Sequence, residues 1–380
     1  MKCTSGIGRS HDTGREAPTP LDWRELLKLV PREPFIPDIG LIGPVLDDPA
    51  SWIDRRQDPD RWQAMVRSDL AIGTQLDDGT VDLTATTKAD PAAMATSSCS
   101  APRLVAEMLT LLDAAPDHRV LEIGTGTGWT AALLARQVGQ GNVVTIEIDE
   151  AVAARATANL ESAGYAPRVV VGDGAHGWPD AAPYDRVHVT AGAATVPYAW
   201  VEQTRRGGVI VLPWMPGWDG AGHLLNLTVQ DGAARGRMAG QCGFMLLRDQ
   251  RPTVKPLTGE ARESTTGFDL GVFFAEQGGL ALAVAGLLPG VSGSAGQHAD
   301  GTLRVAARSA TSHALAVRSP GTGETLVRQR GPRNLWNELQ EAFRWWKQHN
   351  CPSPERYGAT VTRDGLHLWL DDPKNPVRSV

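Results

Sequence analysis

Apolar residues between residues 119 and 213 form short runs that alternate with segments of helical spacing. The runs predicted as strands are RVLEIG, NVVTIEID, RVVVGDG, DRVHVTAG and GGVIVLP. Because these runs are almost entirely apolar, they are typical of strands buried on both faces of a parallel sheet. Strands that alternate with helices in this order predict an α/β fold with a Rossmann-like, doubly wound sheet.

The pattern changes on both sides of this central zone. The first 20 residues are polar and rich in Gly, Ser, Thr and Pro, so we predict a flexible tail over residues 1–20. A cluster of Pro, Thr, Gly and charged residues from Arg251 to Gly267 predicts a linker. The chain is therefore expected to have a main domain over residues 21–250 and an accessory domain over residues 251–380.

The accessory domain is predicted to combine a helix with strands. NLWNELQEAFRWWKQHN has helical spacing, and its apolar face is expected to contain Leu335, Leu339, Ala342, Phe343 and Trp346. Trp336 is expected nearer the edge of that face. ATVTRDGLHLWL places apolar residues on both sides of Asp364-Gly365, which predicts a β-hairpin. The predicted class of this domain is α+β.

Composition narrows the possible partners. The 380 residues are 42% hydrophobic, which is enough for packed cores in two domains. A formal net charge of -6 without a concentrated basic segment argues against a nucleic-acid partner. The sequence contains no apolar run of transmembrane length, and MKCTSGIGRSHDTGREAPTP lacks the apolar centre of a secretory signal. We therefore expect a cytoplasmic protein that does not bind membranes.

The cysteines give no sign of a metal site. Cys3, Cys99, Cys242 and Cys351 lie far apart, without CxxC pairs and without His at ligand spacing. Reduced thiols are expected, with neither a disulfide framework nor a bound metal.

Three glycines follow the first predicted strand. Gly124, Gly126 and Gly128 stand where strand passes into helix, the place where such sheets bind nucleotide-like ligands. The spacing is G-x-G-x-G rather than the dinucleotide pattern G-x-G-x-x-G, and Glu122 precedes the first glycine by two positions. A carboxylate there suits the ammonium group of a methionine moiety better than a pyrophosphate. The pattern favours S-adenosylmethionine over NAD.

Acidic residues also end the next two strands. Glu147 lies nineteen positions after Gly128 and is placed to accept hydrogen bonds from two ribose hydroxyls. Asp173 is placed to accept a hydrogen bond from an adenine amino group. The predicted cofactor site also includes the neighbours Thr125, Ile148, Gly172 and Gly174. Each residue alone has a simpler interpretation as a turn glycine, a helix cap or a solvated charge.

Several segments resemble, in the right order, those of the protein-L-isoaspartate O-methyltransferases, a branch of the class I S-adenosylmethionine-dependent methyltransferases. The segments are SAPRLVAEMLTLLDAAPDHRVLEIGTGTGWTAALLA, VVVGDGAHGWPDAAPYDRVHVTAGAATVP and RRGGVIVLP, within about residues 21–250. APYDRVHVTA is the most specific part, because methyltransferases at large do not share it. The resemblance implies a class I methyltransferase fold and cofactor contacts at the glycines, Glu147 and Asp173. S-adenosyl-L-homocysteine would be the product left by the cofactor.

The resemblance also implies substrate-binding residues. Ser100 matches a serine near the methyl acceptor, and we assign it a catalytic and substrate-binding role; CSAPRLVAEML is equally a helix start with Ser100 as N-cap. Arg103 stands where the family often has His or an aromatic residue, and it either pairs with a carboxylate or is a solvated charge. LPWMPGWDG, which contains Trp214, replaces a plainer loop after the fifth strand. Arg103 and Trp214 are predicted to contact substrate.

The accessory domain resembles that of actinobacterial homologues that modify ribosomally made peptides such as lanthipeptides, lasso peptides and graspetides. This resemblance implies a macrocyclic precursor peptide as partner, methylated on a side-chain Asp or isoAsp that then closes to aspartimide or yields isoAsp. Two other hypotheses stay open. One is general repair of isoaspartyl residues in proteins, and the other is a cofactor-sensing protein without turnover.

Overall fold

The computed structural model describes residues 22–43, 48–83, 93–218, 221–252, 259–275 and 278–378. The tail predicted over residues 1–20 lies outside the described residues. Within them, no helix has both the length and the apolar composition that crossing a bilayer requires.

A small antiparallel sheet and two helices precede the main sheet. The elements are α1 (Trp23–Leu29), β1 (Ile39–Leu41), β2 (Trp52–Asp54), α2 (Pro59–Val66), β3 (Ile72–Leu76) and β4 (Ala95–Cys99). The strand order is β2-β1-β3-β4. Asp22 caps α1 by accepting a hydrogen bond from the Arg24 N–H, and α1 buries Trp23 and Leu26. Their burial fixes this N-terminal layer against the helices of the main sheet.

The central part of the chain forms the predicted doubly wound sheet. Its elements are α3 (Pro102–Leu112), β5 (Val120–Ile123), α4 (Trp129–Val138), β6 (Val143–Glu147), α5 (Glu150–Ser162), β7 (Arg168–Val171), β8 (Tyr184–Val189), α6 (Tyr198–Glu202) and β9 (Thr204–Trp218). The parallel pairs β7-β6, β6-β5, β5-β8 and β8-β9 give the strand order 7-6-5-8-9. All four residues of β5 and all six of β8 are buried. The strand pattern predicted from sequence is confirmed.

The sequence predicts a loop at LPWMPGWDG, but the structure shows that this segment up to Trp218 belongs to strand β9 (Thr204–Trp218). The strand continues to Trp218, and antiparallel β10 (Ala221–Gln230) and β11 (Ala233–Cys242) extend the sheet beyond it. Trp214 and Trp218 are 5% and 4% exposed, within the large apolar cluster. Their burial explains why the segment stays extended, and it places Trp214 in the core.

The accessory strands continue this sheet. The elements are β12 (Arg262–Thr266), α7 (Val272–Ala275), α8 (Gly279–Leu287), β13 (Ser292–Gln297), β14 (Leu303–Arg308), β15 (His313–Arg318), β16 (Thr325–Arg330), α9 (Leu335–Gln348), β17 (Tyr357–Thr362) and β18 (Gly365–Leu370). The order is β12-β16-β15-β14-β13-β9-β10-β11-β17-β18. The predicted linker is therefore wrong over β12, which pairs with β16. Residues 253–258 of that segment lie outside the described residues.

α9 presents the apolar face predicted from its spacing. Leu335, Leu339, Ala342 and Trp346 are buried, and Phe343 packs against them. Trp336, expected near the edge, is only 3% exposed and packs edge-on against Phe268 at 5.8 Å between ring centroids. The predicted hairpin is confirmed as β17 and β18. Because β17 pairs with β11, the hairpin is part of the large sheet.

We expect Leu339→Ala to lower the free energy of unfolding by about 2–5 kcal/mol, because it leaves a cavity at a fully buried position. Denaturant titration followed by tryptophan fluorescence measures this change. Glu341→Ala, an exposed position on the same helix, is the matched control and should change stability by less than about 0.5 kcal/mol. Equal stability of both variants would contradict the packing described for α9.

Candidate active site

A cavity lies at the carboxyl edge of the parallel sheet. One wall comes from the residues that follow the strands, namely 124–127 after β5, 147–149 after β6, 173–174 after β7 and 190–191 after β8. Much of the remaining lining comes from residues 96–100 at the end of β4 and from residues 245–248. The carboxyl ends of parallel strands are where open α/β sheets bind ligands.

The glycine loop has the backbone shape predicted for a close approach. Gly124, Gly126 and Gly128 have φ angles of 94°, 56° and 89°, in the left-handed region that side chains disfavour. A Cβ on Gly124 would stand 2.8 Å from the Thr190 hydroxyl. At Gly128 it would stand 3.1 Å from Leu160 of α5, so this glycine permits the two helices to pack and does not line the cavity. Gly124 and Gly126 do line it.

Glu147 is tied directly to the glycine loop. Its carboxylate accepts hydrogen bonds from the Gly126 N–H at 3.0 Å and the Asp149 N–H at 3.2 Å. Burial raises the pKa of Glu147 above its ordinary value, although these hydrogen bonds oppose the rise. A carboxylate has about four acceptor positions. Glu147 therefore keeps acceptor capacity toward the cavity, as recognition of a ribose diol requires.

The residues after β7 and β6 complete this wall. Asp173 lines the cavity and accepts the Ala175 N–H at 2.8 Å, while Gly174 packs so closely that a Cβ would stand 2.5 Å from Ile123. Ile148 also lines the cavity, whereas Gly172 lies outside the lining and donates its N–H to the Glu147 carbonyl at 2.9 Å. The structure thus brings Asp173, Gly174 and Ile148 into one cavity with the glycine loop.

Glu122 lies beneath the loop, outside the cavity lining. It is 0% exposed, and its Oε2 accepts a hydrogen bond from the Thr145 hydroxyl at 2.7 Å. The Thr145 and Thr125 hydroxyls lie 2.7 Å apart, and Thr125 lines the cavity. His188, 1% exposed on the neighbouring strand, lies 3.8 Å from Glu122 Oε1. The geometry connects Glu122 to the cavity through two threonines instead of pointing it at a ligand.

Ser100 lines the cavity and is not the helix cap. The N-cap of α3 is Ala101, which makes no side-chain cap hydrogen bond. The side chain of Asp69 accepts a hydrogen bond from the Arg103 backbone N–H at 2.8 Å, in the first turn of α3. The half-buried Ser100 hydroxyl forms no hydrogen bond with another described residue. The capping interpretation is therefore wrong, and this hydroxyl is available to a bound molecule.

Arg103 and Trp214 lie apart from the cavity. The Arg103 side chain is 85% exposed and pairs with Asp69 at 3.1 Å. Trp214 donates its indole N–H to the Ala194 carbonyl at 3.1 Å from inside the core. Neither lines the cavity, so direct substrate contact by either one stays a prediction.

The sequence did not predict an ionic bridge that joins three residues of the cavity lining to Asp78. Arg248 pairs with Asp149 at 3.0 Å and with Asp78 at 3.2 Å, and Arg251 pairs with Asp78 at 2.7 Å. Burial opposes ionisation of Asp149, but hydrogen bonds from the Val152 N–H and Arg248 outweigh it and lower its pKa. The bridge joins segments up to 173 residues apart, so no local pattern signals it.

The residues present fit a cofactor that carries a ribose and a cation. Glu147 and Asp173 place carboxylates at the edge of the sheet where a pyrophosphate would otherwise lie, whereas Asp149 is paired with Arg248. Like charges repel, so this set favours a ligand with hydroxyl and amino donors over a dinucleotide.

Comparisons with known proteins agree with this geometry. Residues 84–251 match the family described as protein-L-isoaspartate(D-aspartate) O-methyltransferase. A protein-L-isoaspartate O-methyltransferase of Methanopyrus kandleri is 43% identical over 155 residues, 39% of this chain and 66% of that protein. One of Thermococcus onnurineus is 41% identical over 155 residues, 39% of this chain and 68% of that protein. The chain belongs to the protein-L-isoaspartate O-methyltransferase family.

This is a family of S-adenosylmethionine-dependent enzymes, so the predicted family, cofactor and class I methyltransferase fold are confirmed. The chain spans about two thirds of the length of these two relatives. A solved structure named protein-L-isoaspartate O-methyltransferase aligns over 92% of this chain and 95% of its own, with a TM-score of 0.50 and 20% identity. That alignment shows a shared fold that extends well beyond residues 84–251, which match the family.

We expect Glu147→Gln to weaken S-adenosylhomocysteine binding by about 1.5–3 kcal/mol, because a neutral amide replaces an ionic acceptor. Titration calorimetry measures the change. The matched control is Glu150→Gln, which changes an exposed carboxylate that does not line this cavity. The affinity of this variant for S-adenosylhomocysteine should be unchanged. Unchanged affinity in Glu147→Gln would remove Glu147 from the cofactor site.

Cofactor binding should release protons at mildly acidic pH. Burial raises the pKa of Glu147 in the free protein, whereas hydrogen bonds donated by ribose hydroxyls favour the ionised form and lower it again. Affinity should therefore fall as the pH drops through the pKa of the free protein. Calorimetry in buffers of different ionisation enthalpy measures the proton release. Glu147→Gln should abolish it, and proton uptake by the unaltered protein would contradict the assignment.

Proposed function

We propose that this chain is an S-adenosylmethionine-dependent carboxyl O-methyltransferase that acts on isoaspartyl or aspartyl residues of peptides. The observation that carries the proposal is the shared cavity of Ser100, Glu147 and the glycine loop. Ser100 has an unengaged hydroxyl in the same cavity as the residues that suit a ribose and an adenine. A methyl acceptor near Ser100 would thus face a cofactor held by the strand ends.

The chemistry requires orientation more than proton transfer. A side-chain carboxylate has an ordinary pKa near 4, so it is already ionised at neutral pH and needs no general base. When bound, S-adenosylmethionine supplies a methyl group that its sulfonium centre activates. The cavity has to align the acceptor oxygen with that methyl group and exclude competing water. Trp129, Leu246 and Leu247 provide apolar surface in the same cavity.

Individual residues have separate tasks in this arrangement. Glu147 and Asp173 accept hydrogen bonds from the nucleoside part of the cofactor. Ser100 donates its hydroxyl to the acceptor carboxylate and so orients the attacking oxygen. Arg248 neutralises Asp149, because the two form an ion pair at 3.0 Å. Without that pair, the carboxylates at the sheet edge would repel an acidic substrate.

The product ester is reactive. The following backbone nitrogen attacks the ester carbonyl, its proton leaves with the methoxy group as methanol, and a succinimide ring closes. Opening of that ring by water gives Asp or isoAsp. One chemistry therefore serves both repair of isoaspartyl proteins and the installation of an aspartimide.

The finer proposal is that the acceptor belongs to a cyclised ribosomal peptide in the cytoplasm. Residues 251–380 support it as a region available for recruiting a peptide, since they add strands to the large sheet and further helices, and apart from Arg251 they do not line the cavity. The region alone does not distinguish this role from repair, because a solved structure named protein-L-isoaspartate O-methyltransferase aligns over 92% of the chain. General repair of isoaspartyl residues is the alternative that the named relatives favour.

We expect incubation with S-adenosylmethionine and a short linear peptide containing isoAsp to add one methyl group, followed by loss of methanol. Mass spectrometry detects both steps. Ser100→Ala should lower turnover while leaving S-adenosylhomocysteine affinity unchanged. The same peptide with Ala in place of isoAsp is the control. No methylation of any isoAsp or Asp peptide would contradict the proposal and leave a cofactor-binding protein.

The ratio of rates on cyclic and linear Asp peptides separates the two roles. A ring fixes the acceptor in advance and lowers the entropy cost of binding, so a specialised enzyme should prefer the cyclic form. A higher rate on linear isoAsp peptides supports repair instead.

A further inference from the structure

A buried arginine, Arg32, lies directly behind the lining of the cavity. It follows α1, is 5% exposed and does not itself line the cavity. Its Nε donates a hydrogen bond to Cys99 Sγ at 3.2 Å, and its Cζ lies 5.4 Å from the centroid of the Trp129 ring. Cys99 and Trp129 both line the cavity, from the end of β4 and the start of α4. The guanidinium is therefore separated from a bound ligand by these two side chains.

The hydrogen bonds of Arg32 satisfy its N–H groups without pairing its charge. Besides Cys99 Sγ, the acceptors are the main-chain carbonyls of Val66 at 3.3 Å, Leu70 at 2.9 Å and Cys99 at 2.6 Å. None of these is a carboxylate, and Arg32 forms no ion pair with any residue that the structure describes. An arginine stays protonated in proteins, and a buried charge is usually paired. Arg32 therefore carries a positive charge that acts on its surroundings.

The acidic residues closest to these contacts along the chain are paired with other arginines. Glu33, which follows Arg32, pairs with Arg67 at 2.8 Å. Asp69, which precedes one of the carbonyl acceptors, pairs with Arg103 at 3.1 Å. Both pairs lie at the surface, where solvent screens them. Neither carboxylate is placed to neutralise the buried guanidinium.

The arginines of the cavity lining are paired as well. Arg248 and Arg251 both pair with Asp78, and Arg248 also pairs with Asp149. An anion in the cavity would compete with these carboxylates for either arginine. Arg32 brings no such competitor among the described residues, and the field of a buried charge is screened much less than that of an exposed one. A ligand carboxylate near the end of β4 would therefore experience a positive potential from Arg32.

We propose that Arg32 is a positioning residue whose buried charge holds a carboxylate in the cavity beside Ser100. Two molecules of the reaction carry such a group, namely the cofactor, in its amino-acid part, and the methyl acceptor. For the acceptor, this inference rests on the proposed function; for the cofactor, it rests on the family alone. A charge behind the lining attracts a carboxylate without bonding to its oxygens, so an acceptor oxygen stays free to attack the methyl group.

The hydrogen bonds of Arg32 also have a structural effect. They tie the segment after α1 to the last residue of α2, Val66, and to the end of β4. If Arg32 only held these segments together, its replacement would weaken the binding of every ligand of the cavity to the same degree. If its charge also holds a carboxylate, the replacement weakens a ligand that carries this group more than a matched ligand without it.

Matched ligands therefore separate the two roles. Titration calorimetry compares S-adenosylhomocysteine with its decarboxylated analogue, which keeps the ammonium group. With S-adenosylhomocysteine bound, it also compares an isoAsp peptide with the same peptide whose acceptor is a primary amide. In at least one pair, Arg32→Gln should weaken the carboxylate ligand about five- to thirtyfold relative to its partner. Arg32→Lys keeps the charge but loses the planar donor geometry, so it should retain the preference even where stability falls.

The control is Arg67→Gln, which removes an exposed arginine from the end of α2 and should change neither ratio. Arg32→Met serves as a second uncharged variant if circular dichroism shows that Arg32→Gln does not fold. Selective loss for S-adenosylhomocysteine identifies the cofactor carboxylate, and selective loss for the peptide identifies the acceptor. Equal loss within both pairs, or no loss, overturns the proposal. So does the absence of any carboxylate preference in the unaltered protein, a result that needs no variant.

Methylation assays separate this inference from the proposed function. If no isoAsp or Asp peptide is methylated, the proposed function fails, while the cofactor pair still decides whether the charge of Arg32 holds a carboxylate. If peptides are methylated but neither ratio depends on Arg32, the proposal for Arg32 fails alone.

Discussion

The hydrogen bond from the Gly126 N–H to the Glu147 carboxylate is the contact on which the site depends. It joins the loop after β5 to the end of β6, and so fixes the spacing between the two parts of the cavity that suit a nucleoside. Gly126 can donate in this way because its backbone has a φ of 56°, where a side chain would be strained. The same carboxylate that shapes the loop is thereby held in place to accept hydrogen bonds from hydroxyl groups of a ligand.

The sequence predicted those elements whose defining residues lie close together along the chain. Apolar runs marked β5 to β9, glycines marked the turn after β5, and Glu147 and Asp173 marked two strand ends, because a parallel sheet brings its carboxyl ends to one edge. The bridge of Asp78, Asp149, Arg248 and Arg251 had no such signal, since its members come from segments up to 173 residues apart. Glu122 shows the opposite limit: its spacing predicted a contact with the ammonium group of the cofactor, whereas the register of β5, β6 and β8 makes it face Thr145 and His188.

Continuity of the large sheet changes what deletion experiments can establish. Removing residues 251–380 would take β17 from the edge of β11 and Phe273 from Trp218, which lies 5.9 Å away between ring centroids. An exposed strand edge and an uncovered apolar cluster both favour aggregation. Loss of activity in such a truncation would therefore report on folding as much as on recognition, whereas point changes on an outer sheet face leave the core intact.

The charges around the cavity bear on both molecules of the proposed reaction. The cavity edge holds Glu147, Asp149 and Asp173, while the proposed acceptor is itself a carboxylate, so long-range electrostatics near the cavity disfavour its approach. Arg248 cancels part of this repulsion locally because it pairs with Asp149 and Asp78. Arg251 lines the cavity as well and pairs with Asp78. The cavity thus carries charges of both signs, so a cationic cofactor and an anionic acceptor can each lie near an opposite charge.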